Sequence, residues 1–137
     1  MECLFCRIIN GKIPSHKVYE DEHAYAFLDI YPTSRGHTVV LPKEHITSFL
    51  EMDEERAAEL FASVNRIAKQ VIKATEATGT NIGINNGLVA GQTVPHVHVH
   101  IIPRYENDGG GSMHTIVDSN PDREELEHLA ASIYSRF

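Results

Sequence analysis

Three histidines alternate with valines in the run His96-Val97-His98-Val99-His100, and two cysteines stand three apart at Cys3 and Cys6. Imidazole titrates near neutrality, so it can attack phosphorus, carry a proton or ligate a metal. A Cys-x-x-Cys pair is half of a metal site or a redox couple. If the run is a strand, His96, His98 and His100 share one face while Val97, Val99 and Ile101 point at a core. The outer two histidines then lie about 13 Å apart at Cα, too far to converge easily on one ion. That spacing suits a division of labour instead, with His98 attacking phosphorus and His100 donating to the phosphoryl oxygens. Phosphoryl transfer needs an in-line nucleophile and donors aimed at developing charge. The preceding Gly91-Gln92-Thr93 adds backbone donors and a hydroxyl beside the run. Two other readings of the histidines stand beside this one: a solvent-facing strand, and a metal site, including a zinc hydrolase with the triad itself holding the ion.

These residues need a scaffold. Lys17 to Ile30 reads as a hairpin with a polar tip at Asp21-Glu22, and Thr38 to Leu41 as a short β-branched strand stopping at Pro42. Asp53 caps a long helix whose Ala57, Leu60, Phe61, Val64, Ile67, Ala68, Val71 and Ile72 recur three and four apart, with Gly79 ending it. Thr80 to Asn85 reads as a fourth strand, and His96 to Ile102 as a fifth that stops at Pro103. Asp108-Gly-Gly-Gly-Ser112 reads as mobile. Asn120-Pro121 opens a C-terminal helix carrying Leu126, Leu129, Ala130 and Ile133. The fold class expected is α+β, a five-stranded antiparallel sheet with one long helix and a C-terminal helix.

A chain of 137 residues fits a single domain, with residues 1–105 as its body and 106–137 as a glycine-rich loop plus helix. The formal charge of −7 and the lack of a basic stripe argue against nucleic acid as main partner. No apolar run approaches the roughly 20 residues of a membrane span, and Met1-Glu2-Cys3 opens no leader peptide, so a cytoplasmic protein is expected. In a reducing compartment Cys3 and Cys6 are thiols that need two further ligands, most plausibly histidines, to close a zinc site; a metal-free pair is the alternative.

The segment Gly91-Gln92-Thr93-Val94-Pro95-His96-Val97-His98-Val99-His100-Ile101-Ile102-Pro103-Arg104 resembles the signature of the histidine triad (HIT) family. The resemblance continues through Ile8-Ile9-Asn10-Gly11-Lys12-Ile13-Pro14, Ala26-Phe27-Leu28-Asp29-Ile30 and Gly36 to His45. It implies a HIT-like fold and a two-step reaction: His98 displaces a leaving group from the α-phosphate of a nucleotide, and water cleaves the nucleotidyl-histidine. His100 would contact the phosphate, and the His96 carbonyl would orient the His98 ring. Asp29 matches the acid that holds ribose hydroxyls; Ile8 and Phe27 match the apolar base pocket; Asn85, Gly91, Gln92 and Thr93 match positions beside the phosphate and leaving group. His37 matches a histidine supporting the triad. Some relatives pair an N-terminal Cys-x-x-Cys with two histidines, which here makes Cys3, Cys6, His45 and His96 the candidate ligands of a structural zinc.

Asn85 favours the Hint-like branch, which cleaves phosphoramidates of purine nucleoside 5′-monophosphates. The runner-up is dinucleoside polyphosphate hydrolysis, and a nucleotide-binding module with little turnover is the non-enzymatic alternative. A homodimer is also implied by the resemblance.

Overall fold

A computed structural model of the chain describes residues 3–137; the Met1-Glu2 start lies outside the described residues. Its elements run α1 (Leu4–Ile9), β1 (Lys17–Glu20), β2 (Ala24–Leu28), β3 (Thr38–Pro42), α2 (Glu54–Thr75), β4 (Gly79–Ile84), β5 (Val99–Arg104) and α3 (Leu126–Tyr134). The five strands form one antiparallel sheet in the order β1-β2-β3-β5-β4. No helix among the described residues is long and apolar enough to cross a membrane.

The sheet buries both faces near its centre. Ala24, Ala26, Val40, Val99 and Ile101 face α2, which answers with Leu60, Val64, Ile67, Ala68 and Val71. The α2 stripe follows the expected period, and the Asp53 carboxylate caps it by accepting from the Arg56 N–H at 2.8 Å. Phe61 departs from expectation: it is exposed, its ring set edge-on to Phe49. On the opposite face Tyr25, Phe27, Val39 and Leu41 pack against Phe5 and Ile8 of α1. That short helix was not anticipated, although Leu4, Phe5, Ile8 and Ile9 carry the helical spacing.

Four expected boundaries move. Helix α2 ends at Thr75, before Gly79, because Glu76 takes the left-handed terminating conformation with φ 59°. Strand β5 begins at Val99, after His96, because both of its ladders close there, at Val40 of β3 and at Ile84 of β4, although β3 runs on to Pro42. Upstream of the ladders the Val97 N–H donates to the Ile46 carbonyl and the His96 N–H to the Val94 carbonyl. Strand β5 also runs through Pro103. Its missing N–H lies on the β3 side, beyond the start of β3, where the Pro103 carbonyl accepts from Ser34 Oγ and no ladder donor is required. The C-terminal helix starts at Leu126, after a 3₁₀ turn at Arg123–Glu125 capped by the Asp122 side chain. Its Leu126, Leu129 and Ile133 are exposed in the single chain.

Candidate functional site

The three histidines of the run have different surroundings, because only His100 lies in the ladder. His96 is fully buried, His98 is 6% exposed and His100 is half-buried on the sheet face that also carries Gly83. The expected single strand face does not hold them all, since His96 and His98 precede β5.

Hydrogen bonding fixes the tautomer of each ring. A carbonyl can only accept, so His98 Nδ1, 2.8 Å from the His96 carbonyl, carries its proton and leaves Nε2 with a lone pair. His96 Nε2 lies 2.8 Å from the Pro42 carbonyl, so this nitrogen is protonated and Nδ1 is the basic one. His37 Nδ1 accepts the Thr33 backbone N–H at 3.1 Å, so in its neutral form the proton sits on Nε2, which donates to His100 Nδ1 at 2.9 Å. The His100 proton is thereby placed on Nε2, free to be donated to a ligand. Burial holds both rings neutral: His37 titrates below the ordinary imidazole value, and His100 is pushed down to about 4 by burial, then by His98 and His37. One ring thus presents a nucleophilic nitrogen and its neighbour, 5.0 Å away between centroids, presents a donor.

The apolar side of the site is built by α1. The Phe5 ring stands edge-on to His98 at 5.0 Å and to Phe27 at 5.8 Å, with Ile8 and Phe27 buried beside it. Phe5 was missed in the sequence, where its three-residue offset from Ile8 was the available signal. Asp29 follows β2 and is half-buried; its Oδ1 accepts the Tyr31 N–H at 2.8 Å and its Oδ2 stands 3.8 Å from His37 Nε2. On the other side, Asn85 approaches Gly91, which has φ 91° and 3.9 Å between the Asn85 amide nitrogen and the place a Cβ would occupy. Thr93 is exposed. Gln92 is brought near but buried: its Oε1 accepts the Gly87 N–H, and its Nε2 donates to the Thr47 and Val94 carbonyls. Its backbone N–H is spent as well, on the Gly87 carbonyl at 3.0 Å, so its carbonyl is the polar group left to offer a ligand.

Cys3, Cys6, His45 and His96 converge as the sequence anticipated, their ligating atoms within 4.8 Å of one another. His96 Nδ1 is 3.5 Å from Cys3 Sγ, 3.6 Å from Cys6 Sγ and 3.2 Å from His45 Nδ1, and Cys6 Sγ is 3.4 Å from His45 Nδ1. The edges of a tetrahedral zinc site come to about 3.5 Å for S···N and about 3.3 Å for N···N, given Zn–S of about 2.3 Å and Zn–N of about 2.0–2.1 Å. The donors and spacings therefore fit such an ion. His96 has its basic nitrogen toward the group and its other N–H bound, as a metal-ligating imidazole requires. Asp29, His37 and His100 form a second cluster. It does not fit: a metal on His37 Nε2 would put the proton on Nδ1, against the Thr33 N–H. Among the described residues the triad itself does not gather as a ligand set, which removes the triad-held zinc hydrolase from consideration.

A cavity of about 540 Å³ opens on the β4–β5 side of His100. The glycine run expected to be mobile is instead tied down there. Asp108 is gripped by Arg104 through Nε and Nη2 at 2.8 Å each, and Arg104 Nη1 reaches Asn81 at 2.7 Å and the Gly111 carbonyl at 2.5 Å.

The model of the HIT domain matches residues 10–107. Protein hit of Bacillus subtilis is 46% identical over 135 residues, covering 98% of this chain and 93% of that one. A crystal structure from Streptococcus mutans UA159 is 49% identical with a TM-score of 0.90, covering 98% of this chain and 85% of that one. Adenylylsulfatase HINT3 of Arabidopsis thaliana is 40% identical over 107 residues, which are 78% of this chain and 54% of that longer protein.

Proposed function

This chain belongs to the HIT domain family, and from that premise we propose that it is a nucleotide hydrolase or transferase acting at the α-phosphate of nucleoside 5′-monophosphate derivatives, purine phosphoramidates foremost, with His98 as nucleophile. The observation that carries the reading is the pairing of tautomers, with a lone pair on His98 Nε2 beside a proton on His100 Nε2.

In the first step the His98 Nε2 pair bonds to the α-phosphorus while the phosphorus–leaving-group bond breaks, its electrons departing on the leaving nitrogen, which takes a proton from solvent. The positive charge left on the imidazole is met by the His96 carbonyl at Nδ1–H. The His100 Nε2–H donates to a non-bridging oxygen as charge builds there. In the second step water adds to phosphorus, the phosphorus–nitrogen bond breaks back onto Nε2, and a proton goes to solvent. Phe5, Ile8 and Phe27 would hold the base, Asp29 the ribose hydroxyls, and Asn85, Gly91, Thr93 and the Gln92 backbone would line the phosphate and leaving-group side. Arabidopsis HINT3, named an adenylylsulfatase, also supports chemistry at an adenylyl phosphorus.

A structural zinc on Cys3, Cys6, His45 and His96 is part of the same proposal. Such an ion would cross-link α1 to the chain just before His98. It supplies no step, and the two free thiols suit a cytoplasmic setting. A homodimer is proposed as well: β4 is an edge strand, and the exposed Leu126, Leu129 and Ile133 of α3 await cover. Light scattering at two concentrations tests the homodimer.

The test of function is mass spectrometry of protein quenched during turnover of an adenosine phosphoramidate. A 5′-adenylyl adduct on His98 is expected, and none in His98→Ala. Turnover by His98→Ala equal to that of the wild type refutes the assignment.

A further inference from the structure

The sheet has a second concavity, on the face covered by α2 and at its β1 edge, away from the nucleophile. Strand β1 pairs with β2 through a bulge: Lys17 faces Phe27 and Tyr19 faces Ala26, so Val18 is the extra residue. Between Val18, Leu28 at the end of β2 and the last turns of α2 lies a groove of about 590 Å³. That volume is in the range of a small-molecule site. Thr38, Ile67 and Val71 are its buried floor, and Val18, Leu28 and Ala74 its exposed rim. Ala74 continues the helical stripe of Ile67 and Val71, and its single methyl leaves the space open.

Most polar groups of the lining are spent within the fold. Thr38 Oγ1 donates to the Gly36 carbonyl at 2.9 Å, and Thr75 Oγ1 to the Val71 carbonyl at 2.8 Å. The Tyr19 hydroxyl donates to Asp21 at 2.6 Å and accepts from Arg66 at 2.9 Å, and Arg66 itself stands 3.8 Å from the Asp21 carboxylate. Gln70, exposed on α2, adds an uncharged amide. Arg35 is different. Its carbonyl accepts the Tyr105 hydroxyl at 2.8 Å, and its Nη1 donates to the Thr75 carbonyl at 2.9 Å, which fixes the guanidinium at the C-terminal end of α2 and offsets the helix dipole there. Among the described residues Arg35 has no carboxylate partner, in a chain whose formal charge is −7. A fixed guanidinium with spare donors at the end of an apolar trough matches a carboxylate that carries an apolar chain. The helix sets the length of that chain: Arg66 to Thr75 spans about 14 Å along the axis, at about 1.5 Å per residue. A zigzag of about ten carbons, with bonds of about 1.5 Å, has that reach.

We propose that this groove is a second ligand site, for a medium-chain fatty carboxylate whose head group takes the spare Arg35 donors while its chain lies along Val71, Ile67 and Val18. The site is independent of the His98 reading. Strand β1 is the opposite edge of the sheet from β4, so two copies joined through β4 leave the groove open. Gly36 and Thr38 line it, while His37 between them bonds His100 on the other face, so the occupant rests against the backbone that presents His37.

The test is methyl NMR of the full chain titrated with hexanoate, octanoate, decanoate and decylammonium, each below its micellar concentration. Decanoate is expected to shift the methyls of Val18, Leu28, Ile67 and Val71 and to bind about tenfold tighter than decylammonium, the cation of equal chain length. From hexanoate to decanoate the affinity is expected to rise about two- to fourfold per methylene, as partial to full burial of each requires. Arg35→Gln, which keeps an amide donor for the Thr75 carbonyl, is expected to weaken decanoate about three- to fivefold and to level anion with cation. Ala74→Trp, which fills the groove from an exposed position, is expected to weaken decanoate more than about tenfold. Should Ala74→Trp fold poorly, the chain-length series and Arg35→Gln decide. Groove methyls unmoved by decanoate, equal binding of decylammonium by the wild type, or unchanged decanoate affinity in Arg35→Gln each overturn the proposal. Shifts centred on Leu126, Leu129 and Ile133 of α3 do the same. The readout is binding alone, so its failure leaves the His98 assignment standing.

Discussion

Replacing His37 with leucine removes the one side chain that tells His100 where to keep its proton. In the intact protein the Thr33 N–H occupies His37 Nδ1, the His37 Nε2–H occupies His100 Nδ1, and the donor on His100 faces the ligand by elimination. Leucine leaves His100 Nδ1 without its donor inside the fold, and leaving a buried acceptor unmatched costs about 1–3 kcal/mol. That range corresponds to about 5- to 150-fold, so kcat/KM on an adenosine phosphoramidate is expected to fall about 10- to 100-fold. A second readout separates positioning from mere packing. Burial, then His98, then His37 push the His100 titration down to about 4, and in the wild type a proton on Nδ1 would stand against the His37 proton. In His37→Leu that obstacle is gone, and the His100 titration moves up toward the ordinary imidazole value. Long-range ¹H–¹⁵N correlation spectra follow both the tautomer and the titration, and His37→Gln, which restores an amide donor, is expected to recover most of the rate. A His37→Leu protein with unchanged His100 tautomer, titration and rate would refute the chain of hydrogen bonds as the cause. So would equal damage from leucine and glutamine.

Removing metal with a strong chelator is expected to lower the thermal midpoint and expose Phe5 and Ile8, read by hydrogen exchange over residues 4–9; exchange there unchanged by chelation speaks against a cross-link through Cys3 and Cys6. Gly36→Ala should destabilise the protein by about 2–4 kcal/mol in urea, because φ 88° disfavours a side chain and the new Cβ would meet Thr75 Cγ2; Thr75→Ser in the same background should return only the steric part. Stability should also fall as pH drops from 6.5 toward 4, since His100 stays neutral in the fold over that range while the unfolded chain gains a proton, and His37, also held below the ordinary imidazole value, adds in the same direction. The slope is up to about 1.4 kcal/mol per pH unit for each ring, measured by denaturation at stepped pH, and a flat profile would contradict the burial of these rings.

Periodicity exposed what periodicity governs. The α2 stripe, the β1–β2 hairpin and the strand around His100 were legible because their residues alternate or recur against one continuous partner. Where the partner stops, the pattern misleads. His96-Val97-His98 keeps the strand alternation, yet the ladders to β3 and β4 both close at Val99, and the backbone bends so that the His96 ring enters the cluster of Cys3, Cys6 and His45 while its carbonyl turns to His98. Glycines misled for the opposite reason. Gly109 to Gly111 read as slack, whereas Gly110 is small so that Arg104 can lie against it. Nothing at position 110 announces a guanidinium six residues upstream.

The deeper gap concerns atoms that every residue carries. Residue types named His98 and His100, but which nitrogen of each is basic depends on the His96 carbonyl, the Pro42 carbonyl and the Thr33 N–H, groups common to most residues and silent in any motif. Exchanging the two tautomers would leave the sequence unchanged and place a proton where the lone pair must be. The reactivity of the triad therefore resides in backbone placement, set by the end of β3 at Pro42 and by the loop from Asp29 to His37. Substitutions that shift those backbones without touching a histidine should impair the first step as severely as changes to His37 itself.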